Sequence, residues 1–293
     1  MRGELMKYNI FYNADFIASD YAFDTTRKSG ELAAALKGGG EAKVVDPGLF
    51  TERAKAIIDR VHDPEYVKAV ITGTPSHLAE SQGFAWDPKV PTMAIAHSTG
   101  LVAAVADVLT STNRVAGSLS SGLHHARAGR GSGFCTFNGL VVAATDALDR
   151  GAERVLVLDF DAHCGGGTRS MTAPDKVVQI DVATSAFDSW TPASADALFM
   201  AGVDNYIDTL IEALELADGA GNFDLVLYNA GMDPANSGVS SADLELREHI
   251  VAEWAAKRDQ RLVYALAGGY TGGGIEMDDL VALHRLTVDA FCD

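Results

Sequence analysis

A mainly parallel α/β sheet with helices on both faces is the fold this sequence predicts, and three observations carry that expectation. Short, unalternating runs of Val, Leu and Ile such as Val155–Leu158 suit strands covered on both faces. Amphipathic stretches of helical period separate these runs, so strand and helix alternate along the chain. No fixed-period repeat, low-complexity tract or Pro/Ser-rich linker interrupts the alternation, which predicts a single domain over residues 1–293. A chain with 47% hydrophobic residues and only 8 prolines can bury a core of that size.

In chain order, a strand is expected at Tyr8–Tyr12, where branched and aromatic residues cluster, then a helix at Arg27–Leu36 and a short strand at Val44–Val45. Apolar residues spaced three and four apart predict helices at Glu52–Arg60, Pro64–Ile71 and Met93–Leu109. The pattern then reads strand Arg114–Ser118, helix Gly139–Leu148, strand Arg154–Phe160 and strand Lys176–Val182. It closes with helix Ala193–Leu216, strand Phe223–Tyr228, helix Ala242–Lys257, strand Leu262–Ala267 and helix Met277–Phe291.

Composition narrows the partners. A formal net charge of −17 repels phosphate backbones and anionic lipid and attracts cations such as polyamines or Lys-rich peptides. The expectation is therefore no nucleic acid and no membrane. Three cysteines, Cys135, Cys164 and Cys292, are too few and odd in number for a disulfide framework. The first residues, MRGELMKYNIFYNADF, lack the apolar core of a signal peptide, and no later window is read as about 18 uncharged apolar residues, so a cytoplasmic protein is expected.

Ligands of parallel sheets bind outside the carboxyl ends of the strands, and the ionisable residues of this chain gather there. Asp159, Asp161 and His163 follow Val155–Leu158 at alternate positions, which puts them on one side of an extended chain. His124 and His125 follow Arg114–Ser118, Asp233 follows Leu225–Tyr228 in NAGMDP, and Tyr270 follows Leu262–Ala267 in GGYTGGG. Asp161, His163 and Asp233 make a three-ligand set of one imidazole and two carboxylates. That is the open pattern of catalytic zinc, and its borderline N/O donors also admit Fe(II) or Co(II). The bland alternative for Asp161 and His163 is a loop carboxylate and its satisfied partner. For His124 and His125 it is a pair of exposed loop histidines, against proton transfer by imidazoles that titrate near neutrality, one of them oriented by Asp159.

GLHHARAGRGSGFCTFN, DFDAH, NAGMD and GGY, with VHDPEYVKAV and MAIAHSTGLVAAVADVL upstream, occur in the order and rough spacing found in the zinc-dependent histone deacetylase family. That family includes bacterial acetoin-utilisation proteins and acetylpolyamine amidohydrolases, and the likeness runs from about Val61 to Tyr270. The resemblance implies the arginase/deacetylase fold, with an eight-stranded parallel sheet flanked by helices. It implies zinc on Asp161, His163 and Asp233, His124 and His125 as the proton-transferring pair, and Tyr270 donating to the substrate carbonyl. His125 would take the proton of a zinc-activated water, and His124 with Asp159 would tune the charge. Phe134 resembles one wall of an acyl-lysine tunnel, with the Gly133 carbonyl accepting the substrate N–H and either Phe187 or Trp190 as the second wall. Phe137 and Phe160 read as core. The implied partner is an acylated amine, either a small molecule such as an acetylpolyamine or an acetyl-lysine peptide.

The departures from the family pattern are specific. Ser120, Ser121, Gly122 and Leu123 stand where many members have Pro-Pro-Gly before the histidines. Gly166 stands where the charge partner of the second histidine is usually found, which leaves His125 without an assigned carboxylate. Asp181 replaces a Ser near a structural monovalent cation, K+ in the resemblance. Asp87 matches a substrate-gripping loop carboxylate, although Asp before Pro is chiefly a turn residue. A ureohydrolase of arginase or agmatinase type shares the DAH motif, but its dimetal site needs more carboxylates than Cys164, Gly165 and NAGMDP provide. A binding protein that kept the fold and lost catalysis is disfavoured by the presence of His124, Asp233 and Tyr270. No G-x-x-x-x-G-K-[ST], G-x-G-x-x-G or G-x-S-x-G motif supports nucleotide binding or serine hydrolysis.

Overall fold

The computed structural model describes residues 8–19, 24–37 and 42–292. Its strands are β1 (Asn9–Phe11), β2 (Lys43–Val45), β3 (Val115–Ser118), β4 (Val155–Asp159), β5 (Val177–Ala183), β6 (Ala197–Met200), β7 (Leu225–Asn229) and β8 (Leu262–Ala265). Its α-helices are α1 (Asp24–Leu36), α2 (Thr51–Val61), α3 (Pro64–Thr72), α4 (Ser76–Ala79), α5 (Val90–Thr110), α6 (Gly139–Asp149), α7 (Gly166–Met171), α8 (Tyr206–Gly219), α9 (Asp233–Asn236), α10 (Ser241–Lys257) and α11 (Met277–Ala290). The strands form one sheet in the order β2-β1-β3-β8-β7-β4-β5-β6, and every pairing is parallel.

The unalternating strand sequences follow from this layering. Leu156, Leu158, Val226, Tyr228, Leu262 and Tyr264 pack on one face in a core shared with α1, α8, α10 and α11. The intervening Val155, Val157, Leu225, Leu227 and Val263 pack on the other, under α5 and α6. Each residue of the central strands β4, β7 and β8 is thus covered whichever way it points, and each fully buried aliphatic side chain contributes about 1.5–3 kcal/mol relative to exposure.

Two expectations need correction. The run Ala193–Leu216 is not one helix: Ala197–Met200 forms the edge strand β6, paired to β5 from Ile180↔Ala197 to Ala183↔Met200, and the helix begins at Tyr206. A short apolar run fits strand or helix equally by periodicity, and pairing with β5 decided it. The second concerns α5, which is long and apolar enough to span a membrane, although no such window was expected. Some 78% of its apolar window is buried inside the protein, between the sheet and α2, α3 and α6, so its hydrophobicity is that of a core helix.

Candidate active site

β4 and β7 are neighbours in the sheet, with Asp159 level with Asn229 on one side and Asp181 on the other. Chain leaving two adjacent strand ends therefore reaches the same point: Asp161 and His163 follow β4, and Asp233 opens α9 after β7. His163 Nδ1 lies 3.1 Å from Asp161 Oδ1 and 3.1 Å from Asp233 Oδ2. One ligand atom from each of the three residues falls within 4.8 Å of the others, a spacing that suits a metal ion. Hydrogen bonds to Asp161 and Asp233 raise His163 to about 10, which shows that the two carboxylates favour positive charge here, a charge that a bound cation would supply in place of the proton. Burial pushes the Asp233 carboxyl up, and the Asp161 charge beside it adds to that shift. Against its own burial, Asp161 is held below the usual carboxylate range by hydrogen bonding to His163 and the charge of His124.

The paired histidines are buried, 5% and 4% exposed, which removes the reading of exposed loop residues. His124 Nδ1–H donates to Asp159 Oδ2 at 2.7 Å, and Asn229 Nδ2 donates to Asp159 Oδ1 at 2.7 Å. Burial alone would lower His124, but the charge of Asp159 and its hydrogen bond override it and raise the imidazole to about 9. His125 goes the other way, to about 4, through burial and then the charge of His124. Adjacent imidazoles, 4.0 Å apart by ring centroids, are thereby split into one cationic and one neutral member.

The expected gap beside His125 is filled. Asp188, on the loop between β5 and β6, accepts the His125 Nδ1–H at 2.9 Å, so the missing carboxylate at Gly166 is replaced from another loop. Nothing in TSAFDSW marked Asp188 in advance, because a loop without periodicity gives no register; its position after a strand end was the only signal.

His125, Gly133, Phe134, Asp161, Phe187 and Tyr270 line a cavity of about 360 Å³, together with the other metal-set residues. Phe134 and Phe187 remain 45% and 49% exposed, as walls of an opening do. The Phe187 ring meets His125 edge-on at 4.9 Å. Gly133 has φ +49°, and a Cβ there would lie 2.5 Å from His125 Cδ2, so only glycine fits. Trp190 turns away and donates Nε1–H to Asp181 at 2.7 Å, leaving Phe187 as the second aromatic wall. Asp181 also accepts from Gly165 N at 2.8 Å and Gln179 Nε2 at 2.9 Å, and burial followed by the Asp159 charge raises its carboxyl. Asp87 does not line the cavity; it accepts from Ser19 Oγ and from Lys89 N at 2.6 Å, the turn role of an Asp before proline. Phe137 and Phe160 are fully buried core residues.

Several supporting residues were not legible. Asn236 holds the Tyr270 backbone at both ends, its amide nitrogen on Tyr270 O at 3.0 Å and its oxygen on Tyr270 N at 3.1 Å. Lys28, fully buried on α1, donates to Gly268 O at 2.6 Å; burial pulls it down to about 7 against the opposing pull of Asp233 and Asp161. Arg247 on α10 is also fully buried, and its Nη1 donates to Phe160 O at 3.1 Å and Gly231 O at 2.7 Å, tying together the two loops that carry Asp161 and Asp233. Charged residues inside a helix ordinarily face solvent, so nothing in the sequence marks Lys28 or Arg247 as buried at the rim.

A family profile described as "Histone deacetylase domain" matches residues 31–190, a little over half of the chain. An uncharacterized protein of Picosynechococcus sp. is 28% identical over 251 residues, covering 79% of this chain and 80% of that protein. The acetoin utilization protein AcuC of Bacillus subtilis is 28% identical over 181 residues, 58% of this chain and 46% of its own length. Histone deacetylase 2 of Arabidopsis thaliana is 29% identical over 167 residues, 52% of this chain and 43% of its own length. The matched region thus spans less than half of the Bacillus and Arabidopsis relatives. Among solved structures, acetylpolyamine aminohydrolase from Burkholderia pseudomallei superposes with a TM-score of 0.78 at 18% identity, over 97% of this chain and 98% of that one. The HD domain of HDA15 superposes with a TM-score of 0.76 at 19% identity, over 97% of this chain and 90% of that one. These likenesses give the parallel sheet its place among arginase/deacetylase folds, and by the family match the chain belongs to the histone deacetylase domain family.

Proposed function

We propose that residues 1–293 act as one zinc-dependent deacylase domain, which removes an acetyl or other acyl group from an amine such as acetyl-lysine or an acetylpolyamine. The observation that carries this reading is the convergence of Asp161, His163 and Asp233 on a cavity that His125, Tyr270 and two aromatic walls also line. The donor set fits zinc, with Fe(II) and Co(II) as admissible alternatives. Zinc bound there would lower the pKa of a water and polarise the acyl carbonyl. The remaining work belongs to the protein. His125, held neutral, accepts the water's proton at Nε2 and returns it to the leaving amine. His124, held cationic by Asp159, keeps positive charge next to the developing oxyanion. Tyr270 stays protonated, raised by burial and by Asp233, and so donates to the carbonyl oxygen. Phe134 and Phe187 flank the acyl chain, and the Gly133 carbonyl accepts the amide N–H. A net charge of −17 favours cationic substrates over polyanions. Three buried free cysteines suit the reducing cytoplasm. K+ is a proposed structural ion near Asp181.

An acyl-amine panel assayed with metal-stripped and zinc-loaded protein tests the reading. Amine release should require the metal, and Tyr270→Phe should keep its zinc while losing about 10²–10³ in kcat. Urea release from guanidino compounds in place of amine release would assign a ureohydrolase instead. Full turnover by Tyr270→Phe would remove the tyrosine from the mechanism.

A further inference from the structure

We infer that Asp188 is the positioning residue of His125, and that this chain has moved the carboxylate of its second histidine from the Gly166 position to the β5–β6 loop. Three observations meet at this residue. First, Asp188 is 6% exposed at its side chain and its Oδ2 accepts from both His125 Nδ1 and Gly167 N, each at 2.9 Å, while Oδ1 is paired with Arg127 Nη2. Three donors thus hold the carboxylate, which fixes its orientation toward His125. Second, the space is made by Gly166. A Cβ at that position would lie 2.3 Å from the Asp188 carbonyl oxygen and 2.7 Å from Oδ1, so this placement of Asp188 requires a glycine at 166. Third, Asp188 adopts φ +58°, a conformation that side-chain-bearing residues rarely hold and that costs energy unless the surroundings impose it.

The consequence concerns the tautomer. With Nδ1 committed as donor to Asp188, the neutral imidazole of His125 carries its lone pair on Nε2, the nitrogen the proposed proton transfer uses. Phe187, the preceding residue, packs its ring against His125 at 84°, so one loop sets both the tautomer and the plane of the ring, and the same loop forms a wall of the substrate opening.

This inference rests on the deacylase reading for its kinetic arm only. In zinc-loaded protein, Asp188→Ala should lower kcat about 10–100-fold with KM and zinc content within twofold of wild type, and the near-isosteric Asp188→Asn should lose less, since its amide oxygen still accepts from Nδ1. Independently of any substrate, 15N NMR of histidine-labelled protein should show the His125 proton on Nδ1 in the wild type and a shift toward the Nε2–H tautomer in Asp188→Ala. Unchanged kcat in Asp188→Ala, or an Nδ1–H tautomer that survives the substitution, overturns the inference. If no acyl amine is turned over at all, the deacylase reading fails while the NMR arm still decides the role of Asp188.

Discussion

The cavity at the N-terminal ends of the strands, about 440 Å³, is larger than the one of about 360 Å³ at the C-terminal rim, and it too is lined with charge. At the N-terminal end the charges are either paired with one another or tied to backbone, as Asp224 is to Glu153 N and Arg154 N and Arg261 to Val108 O. Arg114 pairs with Asp259 and Arg258 with Asp218, Trp254 Nε1 donates to Asp218 at 2.8 Å, and the Arg258 guanidinium covers the Trp254 ring at 4.8 Å. At the rim, Asp159, Asp161 and Asp233 and the side chain of Asp188 are buried against imidazoles whose charge is conditional, and the pKa values of those imidazoles are driven far apart. Cavity size does not distinguish the two ends. What distinguishes them is whether the charges already cancel, because matched surface pairs are worth little and do nothing, whereas mutually strained buried groups are poised to bind a cation and move a proton.

Removing one charge at each end puts this difference to its most severe test. Asp233→Asn should abolish zinc binding and lower activity by at least about 10³-fold, since a neutral amide is a poor ligand and His163 loses one of its two carboxylates. Asp259→Asn at the opposite end should leave zinc content and kcat unchanged and shift stability by about 1 kcal/mol or less, its partner Arg114 being 39% exposed. Zinc content by mass spectrometry and kcat on the best panel substrate read both. Comparable losses from the two substitutions would refute the distinction.

That contrast also explains how far the sequence could be read. Asp159, Asp161, His163 and Asp233 stood out because they follow unmistakable buried strands, and a strand end converts chain position into spatial position. β7 and β4 needed only to be neighbours for the ligand set to close. Asp188 and Trp190 come from a loop whose path depends on what it packs against, so neither the partner of His125 nor the choice between Phe187 and Trp190 was legible. β6 was hidden because ALFM carries no period that separates strand from helix. Lys28, Arg247 and Asn236 act from helices, where the periodic pattern assigns a face but not the loop backbone that the side chain reaches.

Arg247 is a matched charge placed at the rim. Its Nε donates to Glu248 Oε1 at 2.8 Å, both side chains are fully buried, and Tyr228 OH reaches the same carboxylate oxygen at 3.0 Å. Arg247→Met leaves Glu248 uncompensated and should cost about 3–5 kcal/mol in urea unfolding. The double variant Arg247→Met/Glu248→Leu removes the stranded charge and should recover part of that stability. Zinc affinity, measured by competition with a chelating dye, should stay about 10–100-fold weaker in both, since neither restores the hydrogen bonds to Phe160 O and Gly231 O. Wild-type affinity in the double variant would show that Arg247 stabilises the fold without shaping the ligand loops.

A pH-dependent effect on stability reports how the rim loop is supported at a distance from the metal set. His62 Nδ1–H donates to Arg127 O at 3.1 Å, and its Nε2 accepts from Asn138 N at 3.1 Å, so the neutral ring joins the loop after His125 to the start of α6. Burial lowers His62 to about 4, outweighing the hydrogen bonds to Ala128 and Arg127, while the unfolded chain has the ordinary value of about 6.5. Between those two values the unfolded state binds the extra proton, so stability rises with pH there and is lost as pH falls below about 6.5. His62 alone should then cost about 2 kcal/mol between pH 7 and pH 5. His62→Gln keeps an acceptor for Asn138 N and cannot titrate. Its urea unfolding free energy should therefore fall less steeply over that interval than the wild type's, and parallel slopes in the two proteins would mean that the acid sensitivity arises elsewhere, with the buried His97 and His284 next in line.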